Sequence, residues 1–258
     1  AAYFSGIKNI VWGIRGTKIP QRSFSTTSAL IKICSLLSFY IPKSIVCCAE
    51  AARLAHIDIG YCPKKMIVIP NGYDLSLYND DPNLKEKVRN DLNISEETLL
   101  VGVVGRFDPL KDFDNFVQAA SLVCKTHHNV KFIMVGRGLD KNNAQLNNWI
   151  QNTSFKDRFI LIGEANPYNF YAAMDIFCLS SKAEGFPNVV AESMAMGVPC
   201  VVTNVGDAAK IVRNSGKVVE PMNANALYKG LISMLDMDYS HRKSLGDNAK
   251  AIIKKEYD

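Results

Sequence analysis

The chain contains no Cys-x-x-Cys pair. Its seven cysteines (Cys34, Cys47, Cys48, Cys62, Cys124, Cys178 and Cys200) are scattered, and none stands at zinc-ligand spacing beside the four histidines. Several lie in apolar runs, where a free thiol behaves as a small hydrophobe. A zinc site and a dithiol redox centre are therefore not expected, and a reduced, cytoplasmic protein is. There is also no apolar run of the roughly 20 residues needed to cross a bilayer. The most apolar helical stretch, ALIKICSLLSFYI at 29–41, is thirteen residues long and contains Lys32. The opening AAYFSGIKNI lacks the basic-then-apolar order of a secretion signal. No Lys/Arg run is interleaved with aromatics, which argues against a nucleic-acid partner. No G-x-S-x-G elbow, H-E-x-x-H pair or P-loop is present, and no internal repeat. His56, His127, His128 and His241 are dispersed and read as surface residues.

What is present is ordinary globular material. The 258 residues are 48% hydrophobic and 21% charged, enough for one large domain or two smaller ones. A net charge of +5 and a pI near 8.7 suit an anionic ligand or an acidic membrane surface without demanding either. Strand-like runs alternate with helical patterns. IVW (10–12) and SIVCCA (44–49) read as strands, with helices over about 26–40 and 49–59. The segment MIVIPNGYDLSLYNDDPN (66–83) has turn and linker chemistry and marks a domain boundary. Beyond it, strands are expected at 99–107, 130–136, 159–163, 175–181, 199–204 and 217–221. Helices are expected near 112–125, 140–151, 223–236 and 240–256. Near-continuous Val/Ile/Leu strands alternating with helices predict an α/β, Rossmann-like doubly wound parallel sheet over 84–258.

Ligands of such sheets bind beyond the carboxyl ends of the strands. Arg106 and Lys111 follow the first strand of this domain, at the expected start of a helix. Cations are unfavourable at a helix N-terminus unless an anion joins them, so a diphosphate site competes with two solvated surface cations. The two glycines of VGRGLD (135–140) do not continue into G-x-G-x-x-G, which disfavours a dinucleotide-binding dehydrogenase and favours a tight strand-to-helix turn. Two acids frame EGFPNVVAE: Glu184 lies in the loop before a helix and Glu192 one turn inside it. Pro187 suits the first turn, leaving the Asn188 and Val189 amides free to face an anion. Two carboxylates around an amide-rich turn suit a ligand with both hydroxyls and phosphate. In the alternative, Glu184 only complements the helix dipole and Glu192 meets a basic neighbour. Met174, Met194 and Met196 read as core filling.

E-G-F-P-x-x-x-x-E, preceded by D-I-F-C-L-S-S and followed by M-G-V-P-C-V-V, resembles the E-x7-E signature of glycosyltransferase family 4, the retaining GT-B glycosyltransferases of group 1. V-I-P-N-G-Y-D (68–74) is similar to the interdomain segment of that family, and V-G-R-F-D-P-L-K-D (104–112) to its phosphate segment. K-F-I-M-V-G-R-G (131–138) and the V-V-x-P ending at Pro221 agree as well. GYCPKKMIVIPNG is similar to lipopolysaccharide, O-antigen and capsule-type transferases. The resemblance implies a GT-B architecture, with 1–66 as the closing part of an N-terminal acceptor domain. Residues 67–83 become the interdomain linker and 84–258 the nucleotide-sugar-binding domain.

By the same resemblance, Arg106 and Lys111 neutralise the donor diphosphate, and Glu184 binds donor-sugar hydroxyls beside the Gly185 and Phe186 amides. The Asn188 and Val189 amides contact phosphate, Glu192 binds the ribose, and the base lies near Gly163 and Glu164. No metal or other cofactor is expected. The donor is a UDP- or GDP-sugar, the acceptor a glycan or a lipid-linked glycan, and peripheral contact with the inner face of a membrane fits this role. Family members run longer and carry a glycine-rich loop and a histidine near the donor sugar, which would lie upstream of Ala1. The chain is therefore expected to be a fragment that retains much of the donor half-site and transfers little sugar by itself. A non-catalytic nucleotide-sugar-binding scaffold and a GT-B sugar-nucleotide epimerase are the alternative readings.

Overall fold

The structure is a computed structural model and describes residues 3, 5–17, 26–78 and 81–258. Two parallel sheets carry the fold. The first has three strands, β1 (Val11–Ile14), β2 (Ser44–Cys47) and β3 (Met66–Val68), in that spatial order. Two helices connect them, α1 (Thr26–Leu37) between β1 and β2 and α2 (Glu50–Asp58) between β2 and β3. Met66–Val68 corrects the expectation that 66–83 is linker throughout. Buried Met66 pairs beside Ile45, and the sheet continues through Val68 before the polar turn takes over. Residues 79 and 80 of the expected linker lie outside the described residues.

A helix that the sequence reading did not include follows, α3 (Pro82–Asp91). The Asp81 carboxylate caps it, accepting from the Asn83 amide at 3.0 Å, with proline at the first helical position. Then come β4 (Leu99–Val104), α4 (Phe113–Cys124), β5 (Val130–Val135), α5 (Ala144–Gln151) and β6 (Phe159–Gly163). The chain continues through α6 (Tyr168–Ala173), β7 (Ile176–Leu179), α7 (Asn188–Ala195), β8 (Cys200–Thr203), α8 (Ala208–Val212) and β9 (Gly216–Val219). It closes with α9 (Ala224–Leu235) and α10 (Tyr239–Glu256). Several expected boundaries move, such as the end of the helix expected over about 26–40, which stops at Leu37. The strand expected to reach 107 ends at Val104, and the helix expected from 140 starts at Ala144, where Asn143 accepts from the Leu146 amide at 3.1 Å.

The second sheet is all parallel, in the order β6-β5-β4-β7-β8-β9. Strand alternation divides its side chains between two cores. Val101, Val103, Phe132, Met134, Ile176 and Cys178 face α4, α5 and α9. Leu100, Val104, Ile133, Val135, Phe177 and Leu179 face the other way, into a core that also takes in Ile45 and Cys47 of the first sheet. The three methionines singled out as core filling, Met174, Met194 and Met196, are buried here. Because β5 and β7 lie on opposite sides of β4, the connection reverses direction at the β4/β7 pair. Such a reversal opens a crevice beyond the strand ends, which is where α/β sheets bind ligands.

Candidate functional site

The crevice is built from the segments that follow β4 and β7. After β4 the chain turns through Gly105. Asp108 then accepts from the Leu110 amide at 2.9 Å, closing a tight turn over Pro109–Lys111. Arg106 and Lys111 therefore sit ahead of α4, separated from it by a turn. After β7, the Ser180 hydroxyl donates to the Lys111 carbonyl at 2.8 Å, and the Lys182 amide donates to the Leu110 carbonyl at 2.7 Å. These bonds fasten the two segments to each other. Lys111 Nζ then meets Glu184 Oε1 at 2.7 Å, and Ser181 Oγ donates to the same oxygen at 2.7 Å. With side chains 22% and 13% exposed, the Lys111–Glu184 pair is largely shielded from water.

The two cations meet different fates. Lys111 points into the crevice, whereas Arg106 has a 65% exposed side chain and pairs with Asp108 at 3.1 Å. The anion that a cation near a helix start calls for is supplied, in this structure, by the protein's own carboxylates. Glu184 serves Lys111, Asp108 serves Arg106, and Asp112 pairs with Lys182 at 3.0 Å.

The E-G-F-P turn continues from Glu184 into α7. Among the described residues, the amides of Gly185, Phe186, Asn188 and Val189 have no hydrogen-bond acceptor, and Pro187 has no amide to offer. A run of unclaimed N–H groups at a helix start is an anion site by geometry. The Phe186 ring is buried and packs edge-on against Tyr257 with centroids 5.5 Å apart, so only its backbone can serve a ligand. Asn188 turns its side chain to the segment after β3, accepting from Asn71 Nδ2 at 2.7 Å and from the Tyr73 hydroxyl at 2.9 Å.

Glu192 stands one turn inside α7. Its Oε2 accepts from the Tyr171 hydroxyl at 2.8 Å, and Tyr171 is itself fully buried. Burial raises the Glu192 carboxyl above its ordinary pKa, against the opposing pull of the Tyr171 hydrogen bond and the Lys111 charge. Tyr73, Tyr78 and Tyr171 are all pushed up in turn, by burial first and by the Glu192 charge second. Glu192 thus belongs to a tyrosine-lined recess, and Lys111 acts electrostatically on both acids. None of the three tyrosines was singled out by sequence reasoning. Tyr73 lies in the V-I-P-N-G-Y-D segment, and Tyr171 follows EANPYNF without a spacing that would connect it to Glu192.

Gly163 and Glu164 close the far side of the strand ends. The Gly163 carbonyl accepts from the Gly136 amide at 2.7 Å, and Glu164 is exposed. Gly136 is held against the turn after β4, where a Cβ would lie 2.1 Å from the Gly105 oxygen. This close approach accounts for a glycine in VGRGLD through packing. The structure thus joins Lys111, Glu184, the turn amides and Glu192. Arg106 stands at the rim, paired with Asp108, and Gly163–Glu164 at the neighbouring strand end.

The family model for glycosyl transferases group 1 matches residues 85–252. A curated relative from Escherichia coli, UDP-Gal:alpha-D-GlcNAc-diphosphoundecaprenol alpha-1,3-galactosyltransferase, is 26% identical over 92% of this chain and 62% of its own length. The Staphylococcus aureus capsular polysaccharide biosynthesis glycosyltransferase CapM is 26% identical over 86% of this chain and 59% of its own length. The chain thus spans about three fifths of these relatives. The crystal structure of Anabaena HepE in complex with UDP and glucose superposes with a TM-score of 0.88 at 22% identity, covering 100% of this chain and 70% of that one. Among the described residues, no helix is long and apolar enough to cross a membrane.

Proposed function

The chain belongs to the group 1 glycosyl transferases, and from that premise we propose that it holds the donor site of a retaining, family 4-type enzyme. That enzyme transfers a sugar from a nucleoside-diphosphate sugar to a glycan or lipid-linked acceptor of a cell-surface polysaccharide. The observation that carries this reading is the Lys111–Glu184 pair at the strand reversal, set between unclaimed turn amides and the tyrosine-lined Glu192. The donor is a UDP- or GDP-sugar. Its diphosphate lies on the amides of Asn188 and Val189 and draws Lys111, with Arg106 released from Asp108 to join it. Glu184 binds sugar hydroxyls next to Gly185 and Phe186, Glu192 binds the ribose, and the base lies towards Gly163 and Glu164. Charge that builds on the departing diphosphate is met by fixed cations and N–H dipoles, with no metal assigned a part. The relatives support a lipopolysaccharide, O-antigen or capsule setting, since one is named for a diphosphoundecaprenol-linked sugar acceptor and another for capsular polysaccharide biosynthesis. We place the protein at the cytoplasmic face of the membrane, where such acceptors are presented, with residues 1–66 on the acceptor side.

Titration of the 258-residue chain with UDP, GDP and their sugars tests the site. Lys111→Ala, Arg106→Ala and Glu192→Ala should each weaken binding by roughly one to two decades. That follows from losing a charged hydrogen bond worth about 1.5–3 kcal/mol. Parental affinity in all three variants would refute the assignment. The chain is further expected to transfer little sugar alone, and robust transfer would overturn that part.

A further inference from the structure

Helix α2 has no N-cap of its own. The residue before it is Ala49, in extended geometry and without a side-chain oxygen, so the first amides of the helix need an acceptor from elsewhere. They find it in the other sheet. Asp207, which follows β8, accepts from the Glu50 amide through Oδ2 and from the Ala51 amide through Oδ1, both at 2.8 Å. Asp207 is 6% exposed. A carboxylate is the preferred partner for a helix N-terminus, both as an acceptor and through the helix dipole.

The backbone of Asp207 is tied to the donor-site turn. Its amide donates to the Gly185 carbonyl at 2.9 Å. The preceding Gly206 is pressed so closely on this turn that a Cβ would lie 2.3 Å from the Gly185 oxygen and 2.7 Å from the Glu184 oxygen. The segment that follows β1 in the first sheet meets the same turn. The Thr17 hydroxyl donates to the Glu184 carbonyl at 2.5 Å, and a Cβ on Gly185 would lie 3.0 Å from the Arg15 oxygen.

We propose that Asp207 is an interlobe latch: by capping α2 across the crevice it fixes the distance between the two sheets and so positions the E-G-F-P turn. The latch is a buried charge satisfied only while the lobes stay together. Drawing α2 away strips the carboxylate of both partners, and the cost falls on the backbone that carries Glu184 and Gly185. Asp207 is therefore a positioning residue. Its effect on the donor rests on the donor-site reading above, whereas its effect on the spacing of the lobes does not.

Two variants separate a latch from a helix cap that merely stabilises. Asp207→Ala removes both. Adding Ala49→Ser to it restores a cap within the helix's own chain, because extended geometry at that position lets a serine hydroxyl reach the first-turn amides. Melting temperature, small-angle scattering and UDP titration are read on the 258-residue chain. Asp207→Ala should lower the melting temperature, increase the radius of gyration and weaken UDP binding by about tenfold, a typical coupling between sites. The double variant should recover the melting temperature while the wider scattering profile and the weak UDP binding persist. Recovery of all three in the double variant, or an unchanged radius of gyration in Asp207→Ala, would overturn the latch. Failure of the parent chain to bind UDP would count against the donor site alone, and scattering would still decide the latch.

Discussion

Glu192 carries a stability cost that its proposed ligand relieves. Burial raises its carboxyl pKa, so the folded chain holds that proton more tightly than the unfolded chain does. Between the ordinary carboxylate value and the raised one, the fold binds more protons, and its stability falls as pH rises. Above that window the penalty is complete, and below the ordinary value it vanishes. Glu192→Gln keeps an acceptor for the Tyr171 hydroxyl and removes the charge. It should raise the melting temperature of the ligand-free chain at pH 7, with the gain fading as pH is lowered towards 4. The same variant should bind the nucleotide more weakly, the exchange of stability for function expected of a binding site. The position of Glu192 was legible in the sequence, because a carboxylate in VVAESMAMG stands out against apolar neighbours. Its partner was not. Tyr171 is 21 residues away in the chain, and no local pattern links a phenol at the end of one short helix to an acid in the next.

At the scale of elements, the central strands and the helices α4 and α9 were legible because each has an apolar run or a buried stripe. Helix α3 was not, since PNLKEKVRND offers only Leu84 and Val88 as apolar positions. Its attachment comes instead from a buried cation. Arg89, 4% exposed, pairs with Asp175 at 3.1 Å and donates to the carbonyls of Ala173 and Ser95, at 3.0 and 2.9 Å, and of Thr98. Asp175 in turn accepts from the Leu100 amide at 2.8 Å, so one ion pair fastens α3 to the start of β4 and the approach to β7. Arg89→Leu leaves a shielded carboxylate with the Leu100 amide and the half-exposed Lys85, at 3.3 Å, as its remaining partners, and strips three carbonyls of a donor. Removing one partner of such a pair costs about 3–5 kcal/mol. Denaturant unfolding of Arg89→Leu should show a loss of that order. A change below about 1 kcal/mol would mean that α3 is held by its apolar contacts alone.

At the scale of the whole molecule, a sheet of three short strands is at the lower limit of independent stability. The first sheet has only four, four and three residues in its strands. Its buried side chains Ile45, Cys47 and Met66 belong to a core that continues through Phe177 and Cys200 of the second sheet and Met194 of α7. Phe186 and Tyr257 close that core on one side, and the Tyr73 amide is held by the Tyr257 carbonyl at 2.8 Å. Sequence periodicity reveals each sheet but not this sharing, because the contacts join residues more than a hundred positions apart. The shared core makes the two sheets a single cooperative unit. The chain has two tryptophans, Trp12 in β1 and Trp149 in α5, so each sheet carries its own fluorophore. Thermal unfolding of Trp149→Phe reports the first sheet, and that of Trp12→Phe reports the second. After each is corrected to the melting temperature of its own variant by circular dichroism, the two fluorescence transitions should coincide with the loss of helix signal, the mark of a two-state transition. An early Trp12 transition, several degrees below the helix signal of the same variant, would show that the first sheet melts by itself and that the core between the sheets does not bind them into one unit.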